Sequence, residues 1–247
     1  MKKILFLLIT LFNFSFVFAC ECIYRNIPQS YYEADIVAEI TVLNIYGNNT
    51  TERTYKADVK FEKFYKGHSD KITINVQGLI GDFEGSACDL ELKKGTKYLI
   101  FLDNNNVRPI SSCTPHYKLN DDNAYQSKIN AVESLFSFLK NTPLKNNIFT
   151  YYFEEKSGKS SLSRLKKFSP KNNFAVYEVL LNNKKQIDKV NTISEFGDRD
   201  SKICELIKKN LKSNYSNYSG NKLMIVFFYI PEYLEIKYRD HITSELY

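Results

Sequence analysis

The sequence predicts a mainly β first unit followed by a small α+β unit. Three observations carry this. Aromatic residues are 15% of the chain, all Tyr and Phe with no Trp, a composition that suits strands more than helical bundles. Residues 55–65 alternate apolar and charged side chains, the period of a half-buried antiparallel strand. After Cys113 the apolar period becomes three and four, that of an amphipathic helix. A length of 247 residues accommodates one large domain or two small ones. The expected organisation is an N-terminal leader at 1–19, a first domain at 20–142 and a second at 146–247.

The elements follow in order. Ile36, Ala38, Ile40 and Val42 alternate against Val37, Glu39 and Thr41, and the strand runs to Ile45. Asn48-Asn49 makes a turn region. Tyr55, Ala57, Val59, Phe61 and Tyr65 are expected to share one face of the next strand. Lys56, Asp58, Lys60 and Glu62 share the other, and Gly67 ends it. Ile72, Ile74 and Val76 mark a third strand. Residues 78–87 hold three Gly and read as a loop. Tyr98–Leu102 and Val107–Ile110 flank Asn104-Asn105-Asn106, a hairpin signal. Ile129, Val132, Leu135, Phe136 and Leu139 then give a helix of about four turns, with Asp122 or Asn123 as its cap and Pro143 as its stop. About five short strands and a closing helix have the size and pattern of a small closed β-barrel.

In the second unit, Ile148–Phe153, Phe174–Leu181 and Ile187–Phe196 read as strands, with a turn at Asn182-Asn183. Residues 156–173 are rich in Lys, Ser and Asn and give no clear element. Gly197-Asp198 precedes a helix whose apolar residues are Ile203, Leu206, Ile207 and Leu211. Leu223–Ile230 is a nearly continuous apolar strand ending at Pro231. A helix on a small sheet is an α+β arrangement.

The N-terminus sets the compartment. Lys2-Lys3 is a positive n-region, Ile4–Phe18 an apolar core, and Val17-Phe18-Ala19 a cleavage site, so residues 1–19 read as a secretory signal peptide. The apolar run is shorter than the roughly 20 residues that a spanning helix needs, and no transmembrane segment is expected. The protein is therefore expected outside the cytoplasm, extracellular or periplasmic, where disulfides form. Cleavage after Ala19 leaves Cys20 first. The alternative is a lipid anchor on Cys20 and an outer-membrane lipoprotein, although Val17 and the bulky Phe18 depart from the lipoprotein pattern. Removing Lys2 and Lys3 takes Lys+Arg from 34 to 32 against 28 acids, a mature charge of +4. So mild and dispersed an excess predicts no nucleic-acid partner. The short Arg164, Lys166, Lys167 run reads as a solvated face.

Five cysteines remain: Cys20, Cys22, Cys88, Cys113 and Cys204. The first four allow three connectivities, and spacing does not choose among them. A Cys20–Cys22 bond would close a strained ring, so each is expected to pair with Cys88 or Cys113. Each such loop closure would contribute about 3–5 kcal/mol. C-x-C is a poor zinc spacing, and no intrinsic metal is expected.

No catalytic motif is present. G-x-S-x-G and H-E-x-x-H are missing. Gly158-Lys159-Ser160 lacks the earlier Gly of a phosphate loop, where Phe153 stands. His68, His116 and His241 lie far apart and read as solvated or locally bonded. Glu154 and Glu155 are adjacent in an expected strand, so they face opposite ways. The chain is read as no enzyme, with no catalytic residue and no cofactor.

The first unit resembles the netrin-like (NTR) domain, in particular that of the tissue inhibitors of metalloproteinases. The carrying residues are Cys20-Glu21-Cys22 after the signal peptide, Pro28-Gln29, Ala34-Asp35-Ile36-Val37, Tyr65-Lys66-Gly67, Cys88, and Cys113 before the helix, over about residues 20–140. The resemblance implies a five-stranded OB-type barrel and disulfides Cys20–Cys88 and Cys22–Cys113. The third disulfide of the animal inhibitors has no counterpart pair here, and Cys204 is expected to be a free, helix-buried thiol.

The resemblance also implies a protein partner, a zinc metalloprotease. Catalytic zinc keeps an open coordination position, which the α-amine and carbonyl of Cys20 would fill as a chelate. An α-amine titrates near pH 8, so part of it is neutral and able to ligate. Glu21 and Cys22 would form the inhibitory wedge. Glu21 departs from the small Thr or Ser of the family, and a carboxylate entering an apolar pocket loses hydration worth several kcal/mol. Weak or no inhibition of matrix-type metalloproteinases is expected. The alternative is a non-inhibitory envelope binding or scaffold protein in which the two cysteines simply pin the N-terminus. The second unit is similar to the C-terminal domain of TonB-type periplasmic proteins, carried by Tyr177–Leu181, Ile187–Ile193, the helix at 199–211, Val226–Pro231 and the Ile230-Pro231 step. That likeness implies a protein-binding surface with a strand edge.

Overall fold

The structure, a computed structural model, describes residues 26–81, 83, 85–103, 109–119, 123–144, 147–150, 165, 168–211, 220–231 and 241–243, with backbone only at 123–125 and 241. A short helix, α1 (Ile27–Glu33), comes first. Asn26 caps it, its side-chain oxygen accepting from the Gln29 N–H at 3.0 Å, and Pro28 stands in the first turn. Both are helix-start signals, yet seven residues carry too little periodicity for the sequence to announce the helix.

The first sheet joins β1 (Ile36–Asn49), β2 (Thr54–Lys66), β3 (Thr73–Gln77), β4 (Lys97–Leu102) and β5 (His116–Leu119) in the order β3-β2-β1-β4-β5. All four pairings are antiparallel. One isolated parallel bridge links Val76 of β3 to Ile110. One face of the sheet encloses a core of Ile36, Ala38, Ile40, Val42, Tyr55, Ala57, Val59, Ile74, Val76 and Ile100.

Two sequence expectations change here. β4 lies between β1 and β5, with Leu99 opposite Tyr117, so Ile110, the end of the expected return strand, does not pair with it. Ile110 joins β3 instead, while residues 104–108 lie outside the described ones. Tyr65 also leaves the Tyr55 face. Ile40 pairs with Phe61 but Glu39 pairs with Lys63, so Glu62 is an extra residue on β2. Such a bulge inverts the parity of the residues that follow it, here as far as a second shift at Tyr65, where Ala38 pairs with Phe64 but Val37 with Lys66. Phe64 therefore joins Phe61 on the inner face, stacked at 4.9 Å, and Tyr65 turns toward the helix side.

That side is covered by α2 (Asn123–Asn141), 19 residues long. Phe136 is its hub. Its ring stacks on Tyr31 of α1 at 4.9 Å and meets Tyr65 at 5.3 Å and Phe101 at 6.1 Å. Burying aromatic surface in such pairs adds to plain area burial.

The second sheet contains β6 (Ile148–Thr150), β7 (Phe174–Leu181), β8 (Ile187–Ser194), β9 (Lys222–Ile230) and β10 (His241–Thr243). The order is β10-β9-β7-β8, with β6 parallel to β9. Helix α3 (Asp200–Asn210) packs on one face with Ala175, Tyr177, Val179, Ile225 and Phe227. The other face, Phe174, Val176, Met224, Val226 and Phe228, packs into the same core as α1 and α2. This is why β9 reads as a continuous apolar run: both its faces are buried. The two sequence units thus share one hydrophobic core through α2. β8 ends at Ser194, short of the expected Phe196, whose ring instead fills the α3 core.

Candidate functional site

The residues expected to act, Cys20, Glu21 and Cys22, lie outside the described residues. Their expected anchors lie inside. Cys88 and Cys113 are each disulfide-bonded, and their loops are laced together. The Ser112 N–H donates to the Cys88 carbonyl at 3.1 Å, and the Ser112 hydroxyl donates to the Ala87 carbonyl at 2.8 Å. Cys113 N–H donates to the Ser111 hydroxyl at 3.2 Å, and Ser111 N–H to the Thr114 hydroxyl at 3.0 Å. Two cysteines distant in sequence are so held beside each other.

The Cys88 loop is fastened from its other side. Asp89 accepts from Ser86 N–H at 2.9 Å, the Ser86 hydroxyl at 2.7 Å and the Arg53 guanidinium at 2.8 Å. Burial alone would raise its pKa, but these partners outweigh burial and hold the carboxyl below the usual range.

Tyr65-Lys66-Gly67 has a structural task at every position. The Tyr65 hydroxyl meets the carboxylates of Glu39 and Glu133. Burial, reinforced by those carboxylates, pushes its pKa upward. Glu133 also receives Lys63 at 2.8 Å. Lys66 ends at the C-terminus of α1, donating to the carbonyls of Tyr31 at 2.8 Å, Tyr32 at 2.9 Å and Ala34 at 2.5 Å. A cation belongs there, where helix carbonyls lack intrahelical partners. Gly67, at φ +67°, lies where a Cβ would meet the Asp35 carbonyl oxygen.

The remaining candidates are local. His68 is exposed and contacts Asp70 at 3.0 Å. His116 sits on β5 with its ring nitrogen 2.7 Å from the Thr114 carbonyl. The side chain of His241 and residues 154, 155 and 158–160 lie outside the described ones. Cys204 is a free, partly buried thiol on α3, 3.5 Å from the Thr192 hydroxyl, and burial raises its pKa. Among the described residues no cluster of three or more His, Cys, Asp or Glu could hold a metal, and no helix is long and apolar enough to cross a membrane.

Sequence reasoning singled out Cys88 and Cys113 as expected anchors but not the Ser112 bridge between their loops, which depends on a contact 24 residues apart in the chain. No protein-family model matches the sequence, and a search of curated proteins finds no match.

Proposed function

We propose that the mature protein is exported, begins at Cys20 and binds a partner protein through that N-terminus, in the manner of the netrin-like inhibitors of metalloproteinases. In this reading the Cys20 α-amine and carbonyl chelate the zinc of a metalloendopeptidase. Glu21 enters its specificity pocket, and disulfides Cys20–Cys88 and Cys22–Cys113 hold the wedge rigid, which lowers the entropic cost of binding. The observation that carries it is the pairing of the Cys88 and Cys113 loops through Ser112. Neighbouring anchors suit two cysteines one residue apart. The strand order β3-β2-β1-β4-β5 and the bridge from β3 to Ile110 support the OB-type barrel. Gln77 N–H donates to the Ile110 carbonyl at 2.7 Å, and Ile110 N–H to the Asn75 carbonyl at 2.9 Å, which ties the β3 edge to the chain ahead of β5. The Glu21 carboxylate selects a target whose pocket offers a cation.

A second reading is favoured by β8, whose outer edge pairs with no strand among the described residues. The order β8-β7-β9 with a helix between β8 and β9 also suits the TonB-type likeness. There the chain is an envelope scaffold that adds a partner's strand to β8.

Intact mass of the natively exported protein, before and after reduction, separates the two. Unmodified Cys20 with a gain of about four hydrogens on reduction means two disulfides and a free amine. Inhibition of a panel of zinc endopeptidases, abolished by acetylating that amine, then completes the first reading. Acyl chains on Cys20 block the amine and exclude it.

A further inference from the structure

Between the β1–β2 hairpin and residues 78–81, 83, 85 and 89–92 lies a cavity of about 300 Å³. Its lining is mixed: Ile45, Tyr55, Leu79, Ile80, Leu90 and Leu92 give apolar surface, and Asp89 and Glu91 stand beside them. Phe83 also lines it and is 52% exposed. Hydrogen bonds fasten the walls around the space. The Tyr55 hydroxyl donates to the Leu90 carbonyl and accepts from Leu92 N–H, both at 2.9 Å. Asn48 grips Ile80 twice, its amide donating to the carbonyl at 2.9 Å and its oxygen accepting the N–H at 2.8 Å. Gly78 N–H donates to the Arg53 carbonyl at 2.7 Å, and Leu90 N–H to the Gln77 carbonyl at 2.9 Å. A void braced on several sides is preformed, the usual state of a small-molecule site.

Among the described residues two carboxylates line this space, and they differ. Asp89 is engaged by Arg53 and Ser86. Glu91 is exposed and has no ion-pair partner among the described residues. Among the described residues the lining therefore offers apolar and aromatic surface and, at Glu91, a carboxylate without an ion pair. We propose that this cavity binds a small organic cation, an aralkylamine whose apolar body fills the space and whose ammonium group meets Glu91. Charge complementarity decides the class: an anion would face Glu91, and a neutral molecule would leave it unanswered. Aromatic faces add attraction for a cation.

Phenethylamine is the probe, with phenethyl alcohol and phenylacetate as neutral and anionic counterparts. Each is titrated into the full mature chain at neutral pH and low salt, with amide shifts followed by NMR. The expected result is saturable shifts at Leu79, Ile80 and Leu90, at least fivefold tighter for the amine than for the alcohol and none for the acid. Glu91→Gln, at an exposed position, brings amine and alcohol within twofold of each other. Ile45→Trp fills the cavity and abolishes both. The proposal is overturned by no saturable shift with the amine, by equal affinity for amine and alcohol, by binding of the acid, or by an unchanged amine preference in Glu91→Gln.

Discussion

A methyl group on Gly67 would run into the Asp35 carbonyl oxygen, at a φ of +67° where L side chains are already strained. Gly67→Ala is therefore expected to lower stability by about 2–4 kcal/mol, read as a fall in the urea midpoint with little change in slope. An unchanged midpoint would mean that the chain just before β1 yields freely at Asp35. Lys66→Met keeps most of the apolar stem and removes the cation from three carbonyls. A loss of about 1–3 kcal/mol is expected, with hydrogen exchange speeding first at the amides of α1. Wild-type exchange there would show that water replaces the ammonium group at no cost. The Tyr-Lys-Gly run was legible as a motif, but its tasks were not. Alternation placed Tyr65 beside Tyr55, because parity counted along one strand is blind to a bulge. The extra residue at Glu62 arises only from pairing with β1, which a local pattern does not contain.

Helix α3 shows what an element adds to a residue. Asp200, in its first turn, accepts from Phe196 and Gly197 N–H, both at 2.9 Å, and from the buried Tyr177 hydroxyl at 2.6 Å. The helix is thereby fixed to β7, and Cys204 is partly buried one turn further on. Burial raises that thiol's pKa, so the thiolate, the reactive form, is scarcer at any given pH than in an unfolded chain. Alkylation in the native protein is expected to be slower than in urea, and its pH midpoint to lie higher. A native midpoint at or below the unfolded one would place Cys204 in a different setting. The helices at 123–141 and 200–210 were visible because three or more turns repeat their apolar positions. Helix α1 was not, although Asn26 and Pro28 marked its start. β10 was hidden as well, since three residues at 241–243 carry no period, and only β9 defines them as a strand.

At the scale of the whole molecule, α2 decides how the two sheets behave. Leu135, Phe136 and Leu139 share a core with α1 and Val37 on one side and with Val176, Met224 and Phe228 on the other. Phe138, partly buried, reaches Phe174 at 5.7 Å. The helical period and its stop at Pro143 put an expected boundary near residue 142. They could not reveal that the helix before it is sandwiched, because the residues on its two sides are far apart in sequence. A shared core makes the sheets mutually dependent: melting either one exposes the apolar face of α2 that the other still covers. Unfolding is therefore expected to be a single transition. Amide signals from Val42 and Ile74 report the first sheet, and alkylation of Cys204 reports the second. Leu135→Ala, at a fully buried site, should cost about 2–5 kcal/mol and shift both probes to the same lower urea midpoint. Separate midpoints in the wild type, or a shift confined to one probe, would show that α2 belongs to one sheet alone. Coincident midpoints would make the Cys88–Cys113 loops and the β8 edge parts of one cooperative body, so a partner bound at either of these proposed sites would stabilise both by mass action.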